Sequence, residues 1–368
     1  MPQNQELDTN IQTLIASGVK NIDPRQVYIA PDVNLSRIYP GSILYPGTRI
    51  EGERTLIAPG AKVGTEGPVV LKNALLGEGA EVASGFLTDT ILLPGAKAGA
   101  NAHFRAGTLL EEGASTAHAV GLKQTILLSW ATLGSLINFC DVLFYGGRSR
   151  KEHSEVGSGF VHFNFTPWGK SGDKATASLF GDVANGVLMD QPPIFLGGVS
   201  GIVGPCQVGF GAMTIAGQTI RRDVPPETMY GSTAPELNRP FSHQTSKPSD
   251  NHRARKREKN LTYIHELVAL KAWYQAVRIK RSQLANDQPL TLIYQEAINL
   301  IEGCIEERIK RYNSFATEWG DGTINREDFI APDLSELSLD WKPALSHCEW
   351  VWQLSDEEKS QIKHALSN

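Results

Sequence analysis

Between about Ile57 and Ile220 the chain repeats every six residues, and this period constrains the fold more than any other feature. Ile57, Val63 and Val69 keep one phase. Leu76 and Val82 keep a second, Leu92, Ala98, Phe104 and Leu110 a third, and Leu196, Ile202, Val208, Thr214 and Ile220 a fourth. An amphipathic helix places apolar residues at a 3.6 period and a half-buried strand at 2, and neither produces sixes. A six-residue repeat fits a parallel β-helix, whose rungs stack aliphatic side chains on the rung below. Small residues often follow four places after the aliphatic one, as at Ala61, Ala80, Ala96, Ala114 and Ala212, where a tight corner has no room for more. Pro59-Gly60, Gly79, Pro94-Gly95 and Gly113 supply turn chemistry beside them. The competing arrangement, an antiparallel meander with Pro-Gly turns, has no cause to hold the six-residue phase.

The 368 residues suffice for two domains and a sizeable core. With 35 Lys and Arg against 40 Asp and Glu, the net charge of -5 implies no overall attraction to nucleic acid. No run of about 20 apolar residues suggests a membrane span, and the polar start M-P-Q-N-Q-E-L-D lacks a leader's basic and apolar regions. A cytoplasmic location is therefore expected. Cys140, Cys206, Cys304 and Cys348 are far apart and form no C-x-x-C, so reduced thiols are expected, with neither a disulfide framework nor a metal site.

The chain divides into a helical lead-in at 1–26, the β-helix at 27–232, a linker at 233–260 and an α-helical region at 261–368. Residues 9–20 read as a short amphipathic helix closed by Gly18. The linker is rich in Pro, Ser, Asn and charge and ends in the basic run H-R-A-R-K-R-E-K, read as a solvated or helix-leading face. In the last region Ile264, Leu267, Val268, Tyr274 and Val277 form one stripe, and Tyr294, Ala297, Ile298, Ile301, Ile305, Ile309 and Tyr312 a second. The intervening N-D-Q-P suggests an antiparallel hairpin, with Trp341, Trp350 and Trp352 packed against it. Such stripes read as core; covering the end of the β-helix or joining subunits are their other roles.

Interruptions of a solenoid map to loops on one face, where function enters. Two stand out: 144–154, a basic loop containing Gly146 and Gly147, and 166–193, a long excursion with Trp168, Lys170 and Lys174.

The segment H-F-R-A-G-T-L-L-E-E-G-A-S-T-A-H-A-V-G-L-K-Q (103–124) resembles the acetyltransferase half of the bifunctional UDP-N-acetylglucosamine pyrophosphorylase/glucosamine-1-phosphate N-acetyltransferase family. The resemblance continues through G-S-L-I-N-F-C-D (134–141), V-G-S-G-F-V-H-F-N-F (156–165) and the rungs of 194–224. No Gly-rich pyrophosphorylase loop opens this chain, so uridylyl transfer is not expected. The resemblance implies a left-handed parallel β-helix, a homotrimer with sites between neighbouring subunits, and acetyl-CoA or another acyl-CoA as donor. It implies that Arg105 and Lys123 hold a sugar phosphate, a fitting pair of a bidentate guanidinium and an ammonium. It likewise places Asn164 and Asn138 at the substrate, and Gly198 and Ala216 at the coenzyme.

The departures bear on chemistry. The family's general base, a His, corresponds to Ser135, and its substrate-binding Tyr to Asn138. A hydroxyl is no base near neutral pH without a partner, so His162, two residues before Asn164, is the leading substitute, with His153, His103 and His118 as others. Three readings stand open: an acyl-CoA-dependent transferase acting on an amino sugar, sugar phosphate or sugar nucleotide with altered catalytic residues; a non-catalytic phosphosugar or sugar-nucleotide binder; and a trimeric scaffold.

Overall fold

The computed structural model describes residues 2–163, 174–233, 236, 238, 240 and 248–367. Residues 20–230 wind into a parallel β-solenoid of about 11 turns, followed by a helical region. Each turn contributes short strands to three faces. The first face runs from Lys20–Asn21 to Met229–Tyr230, every pair parallel. The second and third belong to one sheet, because Gly121–Leu127 and Asn138–Phe144 pass unbroken round the corner between them.

The six-residue repeat is visible as ladders of buried side chains. On the first face Leu44, Val63, Val82 and Ala98 stack in register, and Leu133, Val156 and Leu196 continue the column. On the second, Ile50, Leu71, Leu87, Phe104, Leu122 and Phe139 point inward, and on the third Ile57, Leu76, Leu92, Leu110, Leu127 and Phe144. Aromatic rings fill the lower rungs edge to face, Phe139 against Phe160 at 5.9 Å and Phe144 against Phe180 at 5.8 Å. Ala61, Ala80, Ala96 and Ala114 sit fully buried at one corner. Gly60 and Gly79, at φ of 72° and 63°, make the preceding turn in a conformation that disfavours a Cβ.

The solenoid begins earlier than its composition suggested. Helix α1 (Pro2–Ala16) ends in a Schellman closure, with Gly18 N–H donating to the Ile15 carbonyl and Val19 N–H to that of Leu14. Ile11 and Leu14 then bury against the solenoid core, covering its open end. A second short helix, α2 (Val183–Gly186), lies in the second interruption, just after Ser178–Phe180 completes the third face of that turn.

Helix α3 (Asp250–Trp273) starts at the Ser249 cap, so the basic run belongs to a helix and not to the linker. Its cations are used structurally: Arg255 and Lys259 both pair with Asp223, and Lys256 lies over the Phe315 ring. Arg, Lys, Glu and Ala are strong helix formers, which is why a stretch that reads as solvated charge folds this way. α3 runs through a π turn (Tyr274–Arg278) into α4 (Ile279–Leu284). Asp287 then caps α5 (Gln288–Trp319), which packs along α3. α6 (His347–Trp352) and α7 (Asp356–Ser367) complete the chain. Trp341, Trp350 and Trp273 stack in series, with Arg281 over Trp350 at 4.3 Å.

The helices lie along the third face, not across an end of the solenoid. Its outward residues Leu56, Leu75, Ile91, Leu109, Ile126 and Leu143 are at most 2% exposed and share one core with both helical stripes. Each such side chain contributes about 1.5–3 kcal/mol by leaving water, so the helical region and the solenoid stabilise one another. Within this seam Arg278 is fully buried, 3.0 Å from Glu111 and also bonded to Glu112. Tyr274 and Tyr294 hydroxyls donate to the same two carboxylates at 2.7 and 3.1 Å. Among the described residues no helix is long and apolar enough to cross a membrane.

Candidate functional site

Side chains alternate along a strand, so a second-face strand that buries Phe104, Leu122 or Phe139 turns its neighbours outward. Arg105 and Lys123 follow the first two and Cys140 the third, and the three fall in one column: Arg105 N–H donates to the Leu122 carbonyl, and Lys123 registers with Cys140. Rungs are about 4.8 Å apart, which brings both cations over one patch. The Arg105 guanidinium lies 3.9 Å from the Cys140 sulfur. Asn138 registers with Val161 in the adjacent column.

These residues form one wall of a half-open cavity of about 350 Å³. The helical region builds the other wall. Glu307 and Arg311, paired at 2.6 Å, come from α5, and Lys174 and Thr176 from within the second interruption. Arg308, 2% exposed, fixes this wall: one guanidinium nitrogen donates to the Lys174 carbonyl at 3.0 Å and another to Asp141 at 2.6 Å. Burial pushes the Asp141 carboxyl above its usual range, while Arg308 first, then Lys123 and Arg311, pull it down. Among the described residues no carboxylate forms an ion pair with Arg105, Lys123 or Lys174, although all three line the same cavity. Burial and Asp141 push the Cys140 thiol up, while Arg105, Lys123 and Lys174 each pull it down.

Arg105, Lys123, Asn138 and His162, singled out in the sequence, thus meet at one cavity. Asn164 lies outside the described residues. His162 differs from expectation in its direction. It occupies the inward position between Phe139 and Ile202, is 5% exposed, and shares a hydrogen bond with the Ser178 hydroxyl at 2.8 Å. Burial lowers its pKa to about 4, against further bonds to the backbone of Cys140 and Thr176. It is neutral at neutral pH and a weak base, touching the cavity only from the core side.

Ser135, Gly198 and Ala216 fall elsewhere, on the corner between the first and second faces. The strand registers place His118, Ser135, Ser158, Gly198 and Ala216 in a single column, the first four carbonyls each accepting from the following rung. His118 Nδ1 is 2.9 Å from the Ser135 hydroxyl, so the rung beneath supplies an exposed imidazole where the serine stands. A Cβ on Gly198 would lie 2.8 Å from the Ser158 carbonyl oxygen, so adjacent rungs approach too closely here for a side chain. The next column projects Leu136 and Val199, 62% and 79% exposed and both at positive φ. Ser135 is three residues from Asn138, which links the corner to the cavity.

Four contributors were not singled out: Cys140, Arg308, Arg311 and, as a site residue, Lys174. Three of them arrive through the helical region or the excursion, whose approach to the second face has no periodic signature. The basic loop at 144–154 is committed to structure, with Arg148 bonded to Glu152 and the Asp190 carbonyl and Arg150 over Trp130.

No protein-family model matches the chain. Curated proteins do. The chain is 26% identical over 222 residues to the Bifunctional protein GlmU of Shouchella clausii, covering 60% of this chain and 43% of that protein. It is 27% identical over 227 residues to the protein of the same name from Pelobacter propionicus, covering 61% and 44%, and 28% identical over 222 residues to that from Nocardia farcinica, covering 60% and 39%. The chain therefore spans less than half the length of the curated relatives it matches, and the resemblance read from its rungs is to proteins of this name.

Proposed function

We propose that the chain is an acyl-CoA-dependent transferase acting on a phosphorylated amino sugar bound in the cavity of Arg105, Lys123 and Asn138. The observation that carries this reading is the convergence of Arg105, Lys123 and Lys174 on one cavity, with no ion-pairing carboxylate for any of them among the described residues. Clustered cations in a half-enclosed cavity suit an anionic ligand, and charge-assisted bonds to phosphate are among the stronger ones available. Asn138 offers both a donor and an acceptor to sugar hydroxyls.

Acyl transfer requires a base to take a proton from the attacking amine as its nitrogen bonds to the thioester carbonyl carbon; the C–S bond then breaks and the proton passes to the departing coenzyme A thiolate. His118, held by the Ser135 hydroxyl, meets this need better than His162, whose ring is neutral, buried and already bonded. Ser135 orients the imidazole. Gly198 and Ala216, further along the same corner, give the donor's pantetheine a surface without projecting side chains, and the bound acyl-CoA supplies the thioester. Leu136 and Val199, exposed at that corner, suit contact with neighbouring copies, which supports a homotrimer with shared clefts. A β-branched residue held at positive φ is a strained choice, and such strain gathers at functional surfaces.

Calorimetry with glucosamine-1-phosphate tests the phosphate assignment. Arg105→Ala should weaken binding by about 1–3 kcal/mol, as for loss of a charge-assisted bond. An unchanged affinity removes Arg105 from the site.

A further inference from the structure

A second cavity, of about 330 Å³, shares no residue with the first. It opens where Glu78 and Pro94, on turns between the third and first faces, meet the α4–α5 turn and the segment leading into α6. Its polar groups sort by depth. Glu112, Arg281, Tyr294 and His347 are at most 9% exposed and form the floor, whereas Glu78 is exposed and Asp287 partly exposed at the mouth. The first three floor groups are committed. Glu112 accepts from Arg278 and Tyr294, and Arg281 donates to the Trp341 and Leu345 carbonyls. His347 is the exception. Its ring lies 6.0 Å from that of Trp273 and 5.7 Å from that of Trp350, yet neither nitrogen has a hydrogen-bond partner among the described residues. A buried imidazole left unsatisfied costs stability, and a ligand that bonds it recovers the loss.

Charge differs between floor and mouth. At the floor Glu111 and Glu112 offset Arg278 and Arg281, and burial, with both guanidiniums nearby, keeps the His347 ring neutral. A neutral imidazole offers one donor and one acceptor, which suits a hydroxyl and not an ion. At the mouth neither Glu78 nor Asp287 has an ion-pair partner among the described residues. Asp287 spends one carboxylate oxygen on the α5 cap, accepting from Leu290 N–H at 3.0 Å. We propose that this cavity is a second ligand site, for a small amino alcohol whose hydroxyl bonds His347 at the floor and whose ammonium meets Glu78 and Asp287 at the mouth. Pro94, Leu290 and Pro343 give its carbon chain apolar walls. The site is independent of the transferase reading.

Ligand-observed NMR titration of the intact protein with 4-amino-1-butanol, butylamine and 1,4-butanediol separates the two ends. The amino alcohol should bind about fivefold or more tightly than either analogue, the increment of one further hydrogen bond. His347→Phe keeps a ring beside Trp273 and Trp350 and should reduce the amino alcohol to the affinity of butylamine. Because the ring nitrogens lack partners in the free protein, this variant should unfold at no lower urea concentration than the wild type. Asp287→Asn, which retains the helix cap, combined with Glu78→Gln should reduce the amino alcohol to the affinity of the diol. Equal affinity for the three probes, advantages that survive the variants, or no binding overturns the proposal. So does a His347→Phe protein that unfolds earlier and binds unchanged, which returns the ring to the core. If His347→Phe does not fold, the two carboxylate changes decide alone.

Discussion

The inward direction of His162 has a measurable thermodynamic consequence. Its pKa falls from 6.5 to about 4 on folding because burial penalises the charged ring. Between those values the unfolded chain binds a proton that the folded chain refuses, so acidification favours unfolding. The stabilisation is complete above pH 6.5, is lost progressively as the pH falls, and changes no further below about 4. At about 1.4 kcal/mol per pKa unit, a shift of this size is worth about 3 kcal/mol, of which about 2 kcal/mol is gone by pH 4.5. His162→Gln removes the titration while keeping an amide able to bond Ser178, at a cost near neutrality of about 1–3 kcal/mol. Urea unfolding of both proteins at pH 7, 6, 5 and 4.5 then gives a stability gap that should narrow on acidification by about 2 kcal/mol. Other buried groups titrate in the same range: His347 is lowered by burial, and Glu266 is raised by burial to about 7 with the opposite sign. Both are present in each protein and cancel in the difference. A gap that stays constant from pH 7 to 4.5 would falsify the assignment of His162 to the core.

Three further outcomes are expected. Arg278→Met leaves Glu111 and Glu112 buried without their cation and should cost about 3–5 kcal/mol in denaturant unfolding. Burial already pushes Glu111 up, so the loss should shrink at low pH as the carboxylates protonate, and a pH-independent loss would contradict the account. His118→Ala should reduce acyl transfer by about 10²-fold with sugar-phosphate affinity retained; full turnover in this variant returns the base to an unidentified group. Sedimentation of the protein should give three times the 40.2 kDa of the chain, and Val199→Asp should dissociate it, whereas a wild-type monomer would remove the shared cleft.

How much the sequence disclosed depends on whether a residue's neighbours lie one rung away or far along the chain. The ladders through Val63, Val82, Leu92 and Leu110 were legible because a stacked rung imposes its period on every turn. Arg105 and Lys123 were legible through their motif, and stacking on adjacent rungs brings them together. The docking of the helices was written in the sequence too. Third-face strands are apolar on both sides, as in Leu56-Ile57, Leu75-Leu76 and Leu109-Leu110, whereas first-face strands read Lys62-Val63, Glu81-Val82 and Lys97-Ala98. A parallel strand buried on both faces carries this continuous apolar signature. Three features had no such local cause. The direction of His162 follows from strand alternation only once the register across the irregular 156–163 turn is known. The approach of Arg311 and Lys174 to the cavity depends on where α5 comes to rest. The pairing of His118 with Ser135 depends on the number of residues in the intervening turn, because a single insertion would move the imidazole off the column.

The cavity straddles a seam. One wall belongs to the solenoid and the other is seated by Arg308, which grips the Lys174 carbonyl and Asp141 at the same time. A ligand that bridges the two walls binds only the docked arrangement, so occupancy and docking are thermodynamically linked: at a hundredfold excess over its dissociation constant it would add about 2.7 kcal/mol to the closed seam. The helical region then behaves as a clasp that tightens on its own cargo. Protection of the α3 and α5 amides from hydrogen exchange would report ligand affinity from the side of the molecule that covers the third face.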